Sequence, residues 1–336
     1  MPDAGPENPF QYELANFLRH KDFKVQIGKK HTLGSTFRAI QAHHPDVLYF
    51  DWVHSFILGQ SSVWTYFKSL VFILEIAFAK YIKQIPISHT LHNLQNHAGL
   101  YLDLEKMVYG FFLRNCTHIR VYSETTKTAA IKKFGLDATK ISVIQDLPFH
   151  YYYKNTTTKP EARSQLGLTN NQFVFLFFGE IKPYKGLHDF IPIFRDFAQP
   201  TDLLIIAGKS YDAHYLDSLQ KLCNNSENIV WHNRFIEDTE VQTFFNAADV
   251  VVLPFVRIDH SGSVDLAMSF SKPIVTLKTD SMGKLLSNQS TLLFGSIDEI
   301  KNCLQQSQQA NLEVIGQQNF KTADSTNYQD ILKLFI

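Results

Sequence analysis

The stretch FVFLFFGEIKPYKGLHDFIPIFRDF, residues 173–197, decides how this chain is read. Phe173 to Phe178 form an unbroken apolar run of strand length. Behind it, Leu187, Phe190, Ile191, Phe194 and Phe197 fall at i, i+3, i+4, i+7 and i+10, the spacing of a helix with one apolar face. Pro192 sits inside that pattern, where it either kinks the helix or delays its start. The loop between the two elements lies at the carboxyl end of a strand, where doubly wound sheets bind ligands. Lys185 stands at or just before the helix N-terminus, where the macrodipole disfavours a cation by some tenths of a kcal/mol. A bound anion is one reading of that lysine, and a solvated loop residue is the other.

The same alternation runs along all 336 residues. Strand-like runs at 24–27, 47–50, 86–90, 118–122 and 141–144 precede those at 173–178, 203–207, 229–232, 250–254, 273–277 and 291–294. Interleaved with helical patterns, they predict an α/β chain of two Rossmann-like units with parallel sheets. The expected boundaries are 1–155 and 156–318, with the polar, Pro-containing segment after Tyr151 as linker, and 319–336 as a final helix patterned by Tyr328, Ile331, Leu332 and Phe335.

Composition narrows the classes. Hydrophobic residues are 45% and charged residues 19% of the chain, which excludes wholesale disorder and a fibrous protein. Three scattered cysteines without a Cys-x-x-Cys spacing argue against a disulfide framework or structural zinc, and fit a cytoplasmic protein. Lys plus Arg equals Asp plus Glu at 32 each, so nucleic acid is not an expected partner. Residues 1–155 nevertheless carry 17 basic and 12 acidic side chains, and the remainder 15 and 20. That asymmetry points to an anionic surface or acceptor for the first part. No signal-peptide pattern is expected at the start. The apolar segment 66–82, interrupted by Lys68, Glu75 and Lys80, reads as a helix that is buried, or less favoured, one that lies on a membrane. The histidines His89, His92 and His97 lack the carboxylate or cysteine partners of a metal site.

A second loop, LPFVRIDHSGSVDLAMSFSKPIV at 253–275, opens a helix at Ser261, Gly262 and Ser263, with Val264, Ala267, Met268 and Phe270 directed inward. Small residues at a helix start let backbone N–H groups approach a phosphate. Taken alone, Ser261 as a simple N-cap is the favoured reading.

Taken together, FGEIKPYKG at 178–186, DVVVLPF at 249–255 and SGSVDLAMSFSKPIV at 261–275 resemble the GT-B glycosyltransferases. PDVLYFDW at 45–52, SHTLHNLQNH at 88–97 and VYSETTK at 121–127 extend the likeness into the first half. It is closest to bacterial GDP-mannose:glycolipid mannosyltransferases of exopolysaccharide synthesis. The resemblance implies two facing Rossmann-like domains, with the last helix crossing back to the first. It also implies a donor nucleotide, GDP- or UDP-linked, held by Gly179, Tyr184, Lys185, His260, Ser261, Gly262, Ser263 and Asp265, with Arg257 nearby. Sugar transfer to a glycan or lipid-linked acceptor would need no cofactor and no metal. Asp51 and His92, with His97 as a third candidate, follow strands in the first half and are placed to take a proton from the acceptor. The chain departs from the family at Glu180, where an arginine is common, and at Ile258 and Leu266, where glutamates are common. It also begins at MPDAGPENPF, in what resembles the loop after the family's first strand, so that either the strand is absent or the start is truncated. A sugar-nucleotide epimerase on this fold and a noncatalytic partner subunit are the alternatives.

Overall fold

The computed structural model describes residues 9–28, 33–94, 100–224, 226–258, 260–325 and 328–336. The chain forms two units, residues 1–147 with 327–336, and residues 148–326.

The first unit is built on four parallel strands, β1 (Leu48–Phe50), β2 (Ile87–Thr90), β3 (His118–Val121) and β4 (Ile141–Val143), which lie in the order β1-β2-β3-β4. Parallel neighbours need crossover connections, and right-handed crossovers taken in an unbroken order all fall on one face of the sheet. That face buries Phe50, Ile87, Ile119 and Ile141 against Phe72 and Ile76 of the helix Ser62–Ala77 and Phe112 of the helix Leu102–Asn115. Tyr49, one residue from Phe50, points to the opposite face. There it meets Phe10, Leu14 and Leu18 of the helix Pro9–Arg19, together with Ile331 and Leu334 from the closing 3-10 turn Tyr328–Leu334.

The second unit carries six parallel strands: β5 (Phe173–Phe178), β6 (Asp202–Ala207), β7 (Ile229–His232), β8 (Val250–Leu253), β9 (Ile274–Leu277) and β10 (Leu293–Phe294). Their order across the sheet is β10-β9-β8-β5-β6-β7. The five residues Val174 to Phe178 are all buried, as a strand covered by helices on both faces requires. The helix Leu187–Phe197 buries all five residues of its expected apolar face and runs through Pro192 without a break. From β5 the sheet grows one way to β6 and the other way to β8, so the strand order reverses between β5 and β8.

Several expectations are corrected. The 24–27 run has no regular secondary structure and joins no strand of the sheet; Phe23 and Val25 pack half-buried against the Phe10–Leu14 cluster instead. The boundary falls at 147/148 and not 155/156, because Phe149 enters the second unit's core and its N–H donates to Ser269 Oγ at 2.9 Å. The return to the first unit comes at 326/327 and not 318/319, because the helix Leu312–Asp324 packs on the second unit, Ala323 entering its core. The closing segment of the chain is a 3-10 turn, not an α-helix. The segment Ser62–Ile82 is long and apolar enough to cross a membrane, with a mean hydropathy of 1.4, yet only 33% of it is buried, so the buried-helix reading does not hold.

The two carboxyl-end loops of the second unit touch at Gly186. This residue has φ 74°, and a Cβ there would overlap the Pro254 carbonyl oxygen that follows β8. Gly135 is equally left-handed, at φ 64°, but open space surrounds it. Gly186→Ala is therefore expected to cost about 3 kcal/mol and Gly135→Ala about 1 kcal/mol in urea unfolding, the difference measuring the contact between the loops.

Candidate functional site

In a doubly wound sheet the crevice opens at the carboxyl ends of the strands where the order reverses, here β5 and β8. The loop after β5 begins at Gly179, whose φ of 116° is open to glycine alone. It then passes through the 3-10 turn Pro183–Lys185 to Gly186 and the helix Leu187–Phe197. The loop after β8 is tied to it: the Val256 N–H donates to the Tyr184 carbonyl at 3.0 Å, and the Tyr184 ring stacks on Phe255 at 6.2 Å.

This arrangement draws Lys185 inward. Its side chain is buried and its Nζ lies 5.7 Å from the centre of the Phe177 ring. A Cβ built on Gly179 would stand 3.0 Å from Lys185 Nζ and 3.0 Å from Ser263 Oγ, so the ammonium and the hydroxyl are no more than about 6 Å apart. Among the described residues Lys185 forms no ion pair, since the neighbouring Glu180 pairs with Lys182 at 2.8 Å on the surface. Burial pulls the Lys185 pKa down to about 8, against a small upward pull from Glu180.

Ser263 arrives there because the helix Gly262–Ser269 starts beside it. Ser261 is its N-cap, accepting from the Ser263 N–H at 3.2 Å. Val264, Ala267, Met268 and Phe270 are buried as expected. The cap uses one of the free amides, while the Gly262 N–H has no acceptor among the described residues. One ammonium and one hydroxyl thus share a small space beside Gly179, and the hydroxyl belongs to the first turn of a helix whose Gly262 N–H has no acceptor among the described residues, a set suited to an oxyanion. The other expected members sit differently. His260 Nε2 lies 2.7 Å from Asp265 Oδ2, an ion-pair contact that draws both side chains toward one another. Arg257 is exposed. Ile258 and Leu266, where the resemblance leads one to seek carboxylates, pack into the core of the unit.

In the first unit, Asp51 and His92 follow β1 and β2, which are neighbours, and the pair is closed: His92 Nε2 lies 2.6 Å from Asp51 Oδ1. Asp51 is buried, and its Oδ2 has no hydrogen-bond partner among the described residues. With Nε2–H donating to the carboxylate, His92 Nδ1 accepts from the Tyr122 hydroxyl at 3.2 Å. The Trp52 ring stacks on the imidazole at 4.4 Å and 7°. Arg120, fully buried, lies under the Tyr122 ring at 4.7 Å and donates to the Ile144 carbonyl and to Asp146. Trp52 and Tyr122 fall within family-like motifs, but nothing in the sequence assigns them a part; only contact with His92 does. His97 lies outside the described residues. His89, one of the grouped histidines, spends both nitrogens on the Phe50 carbonyl at 3.0 Å and the Tyr109 hydroxyl at 2.8 Å, and burial lowers its pKa to about 3. Glu105 is buried 2.5 Å from His54 Nδ1.

The buried cation of Lys185 has a measurable consequence. Below pH 8 it is charged in both the folded and unfolded chain, and its burial cost is fully present. Between about 8 and 10.5 the folded protein releases a proton that the unfolded chain keeps, so stability rises with pH across that window. Lys185→Met is expected to stabilise the ligand-free protein by about 3 kcal/mol in urea unfolding at neutral pH, the gain fading above pH 10. A lysine held for structure would give a loss.

Comparisons with known proteins fit this geometry. Residues 158–296 match the family described as glycosyl transferases group 1. A GDP-mannose:glycolipid 4-beta-D-mannosyltransferase of Xanthomonas campestris is 24% identical over 139 residues, covering 38% of this chain and 40% of that one. The O-antigen chain mannosyltransferase RfbU of Salmonella typhimurium is 22% identical over 242 residues, 67% of this chain and 64% of its own. The chain therefore spans well under two thirds of the length of the first relative. Among solved structures, Anabaena Alr3699/HepE in complex with UDP and glucose superposes with a TM-score of 0.70 at 19% identity, covering 96% of this chain and 89% of that one. Sucrose-phosphate synthase from Thermosynechococcus elongatus gives a TM-score of 0.70 at 14% identity, covering 90% and 75%. The fold is that of the GT-B glycosyltransferases, with two parallel-sheet Rossmann-like units, and residues 158–296 match the glycosyl transferases group 1 family.

Proposed function

We propose that this protein is a glycosyltransferase that moves a sugar from a GDP- or UDP-linked donor to a glycan or lipid-linked acceptor in the assembly of a surface polysaccharide. The reading is supported by one observation above the others: a buried ammonium with no acidic partner among the described residues, placed with Ser263 Oγ over Gly179 at the start of a helix. As a glycosidic bond to a diphosphate breaks, negative charge grows on the leaving group. Lys185, Ser263 and the Gly262 N–H are assigned to that charge, and a preorganised ammonium in a water-poor pocket stabilises it more strongly than the same group in water. No metal and no cofactor is assigned a part. The mannosyltransferase relatives favour a mannosyl donor, and the HepE complex with UDP favours a uridine nucleotide; the proposal keeps both bases.

His92 is assigned the acceptor's proton, received at Nδ1 when Tyr122 withdraws its hydrogen bond, while Asp51 stabilises the imidazolium that forms. Asp51 is a positioning residue here, since its carboxylate is buried behind the ring. Cytoplasmic placement accords with the need for nucleotide donors and is part of the proposal.

Titration calorimetry with GDP, UDP and their sugars, in EDTA, tests the donor site. Wild type is expected to bind at least one of them, Lys185→Ala about 100-fold more weakly. Because the bound anion needs the charged lysine, affinity is expected to fall about tenfold per pH unit above pH 8, a slope absent from the alanine variant. If no nucleotide binds wild type, the transferase reading fails and the partner-subunit reading takes its place. Turnover of free donor without acceptor would instead favour the epimerase. His92→Gln is expected to lower kcat by about 10²- to 10⁴-fold with nucleotide affinity unchanged. An unaltered kcat would return the histidine to a structural part.

A further inference from the structure

The helix Ser62–Ala77, continued by the π-helical turn Phe78–Ile82, buries Phe72, Ile76 and Ala79 in the core but is also apolar on its outer face. Beside those core residues, Thr65, Lys68 and Glu75 are fastened to the unit by hydrogen bonds. The Gly59 N–H donates to Thr65 Oγ1 at 3.0 Å, which itself donates to the Ser61 carbonyl at 2.8 Å. Lys68 Nζ donates to the carbonyls of Ser55 at 2.5 Å and Leu58 at 2.6 Å. Glu75 Oε1 accepts from the Phe37 N–H at 2.9 Å, at the start of the helix Ser35–His43. The opposite face shows Val63, Tyr66, Phe67, Leu70 and Leu74, spaced i, i+3, i+4, i+7 and i+11 and between 45% and 79% exposed. At about 100° per residue these five form one stripe, and Thr65, Ser69, Phe72, Glu75 and Ile76 lie across the axis from it. A continuous apolar patch of this kind on a folded surface marks an interaction site.

What covers the stripe is argued from its surroundings. Trp64 and Tyr66 stand at one end and Tyr81 at the other, all exposed, the residue types that favour the boundary between hydrocarbon and water. The neighbouring helix Leu102–Asn115 adds exposed Leu102 and Met107 on the same helical layer. Beside Met107 a cavity of about 320 Å³ is lined by Lys106, Arg114 and Lys133, with Asp103 the one acidic side chain in the lining. Three cations against one carboxylate suit an anionic headgroup, and residues 1–155 as a whole carry five more basic than acidic side chains.

We propose that this helical layer docks on an anionic lipid bilayer, the 63–74 stripe entering the apolar edge and the Lys106–Arg114–Lys133 cavity receiving a lipid phosphate. The helix does not cross the bilayer, because Glu75 and Lys68 are committed to partners inside the unit. Apolar area supplies the binding strength and the cations select the charge of the surface. The inference rests on exposure and charge, and it holds or fails separately from the transferase reading.

Flotation of the full-length protein with vesicles of phosphatidylcholine, alone or mixed with phosphatidylglycerol, tests it. Wild type is expected to float with the mixed vesicles and bind the neutral ones about tenfold less. Leu70→Glu with Leu74→Glu is expected to reduce the bound fraction on mixed vesicles at least about tenfold, with the thermal melt unchanged because both side chains are exposed. Lys106→Glu is expected to weaken the preference for phosphatidylglycerol. Val314→Glu, on an exposed apolar residue of the second unit, serves as control and is expected to bind as wild type. Failure of wild type to bind either vesicle, or equal binding by the double glutamate variant, overturns the proposal. So does sedimentation showing a wild-type dimer that the double variant dissolves without any vesicle binding, which would make a second copy the occupant.

Discussion

The parallel pairing of β5 with β8 is the constraint on which the candidate donor site depends. These strands are far apart in the chain, yet Phe175 pairs with Val250 and Leu176 with Val251. Once that register is set, the ends of the two strands lie together, and the turns leaving them have nowhere to go except past one another. Gly186 packs under Pro254, Val256 hangs on the Tyr184 carbonyl, and Lys185 is left over Phe177 with its charge under Ser263. The sheet core supplies the rigidity: a run of fully buried phenylalanines, Phe175, Phe177, Phe190 and Phe194, leaves the loops little freedom to move the ammonium back to water. A protein that holds a charge in that position carries a standing cost, which fits a residue kept for an anion and not for folding.

The first unit solves a different problem with different means. Its core is threaded by polar groups: His54 against Glu105, His89 between the Phe50 carbonyl and Tyr109, Arg120 against Asp146. Each is partnered, so the network fixes side-chain directions where an apolar core would only fill space. His92 lies at the edge of this network, clamped between Trp52 and Tyr122 and tied to Asp51. Its ring orientation is thus set by residues from three strand ends.

Much of the fold was legible in residue order because it is written in periodicity. Ten of the eleven strand-like runs became strands within a residue or two, and the 187–197 pattern named its buried face correctly. The 24–27 run failed because alternation alone does not say whether a sheet edge is there to receive it. The linker was misplaced because Phe149 and Tyr153 are embedded in a polar stretch, and composition does not reveal that an aromatic has found a core.

For the site, the sequence by itself determined the chemistry available: a lysine and small residues at two helix starts, an aspartate and a histidine after two strands, and an apolar segment interrupted by Lys68, Glu75 and Lys80. Only the tertiary structure decided which of these meet. It joined Lys185 with Ser263, paired His260 with Asp265, gave Tyr122 and Trp52 to His92, and turned the apolar face of the 62–77 helix outward. Local order sets what each backbone segment prefers to be, through steric and hydrophobic periodicity. The meeting of residues many positions apart, and the choice of which face is covered, belong to the packing of the whole unit.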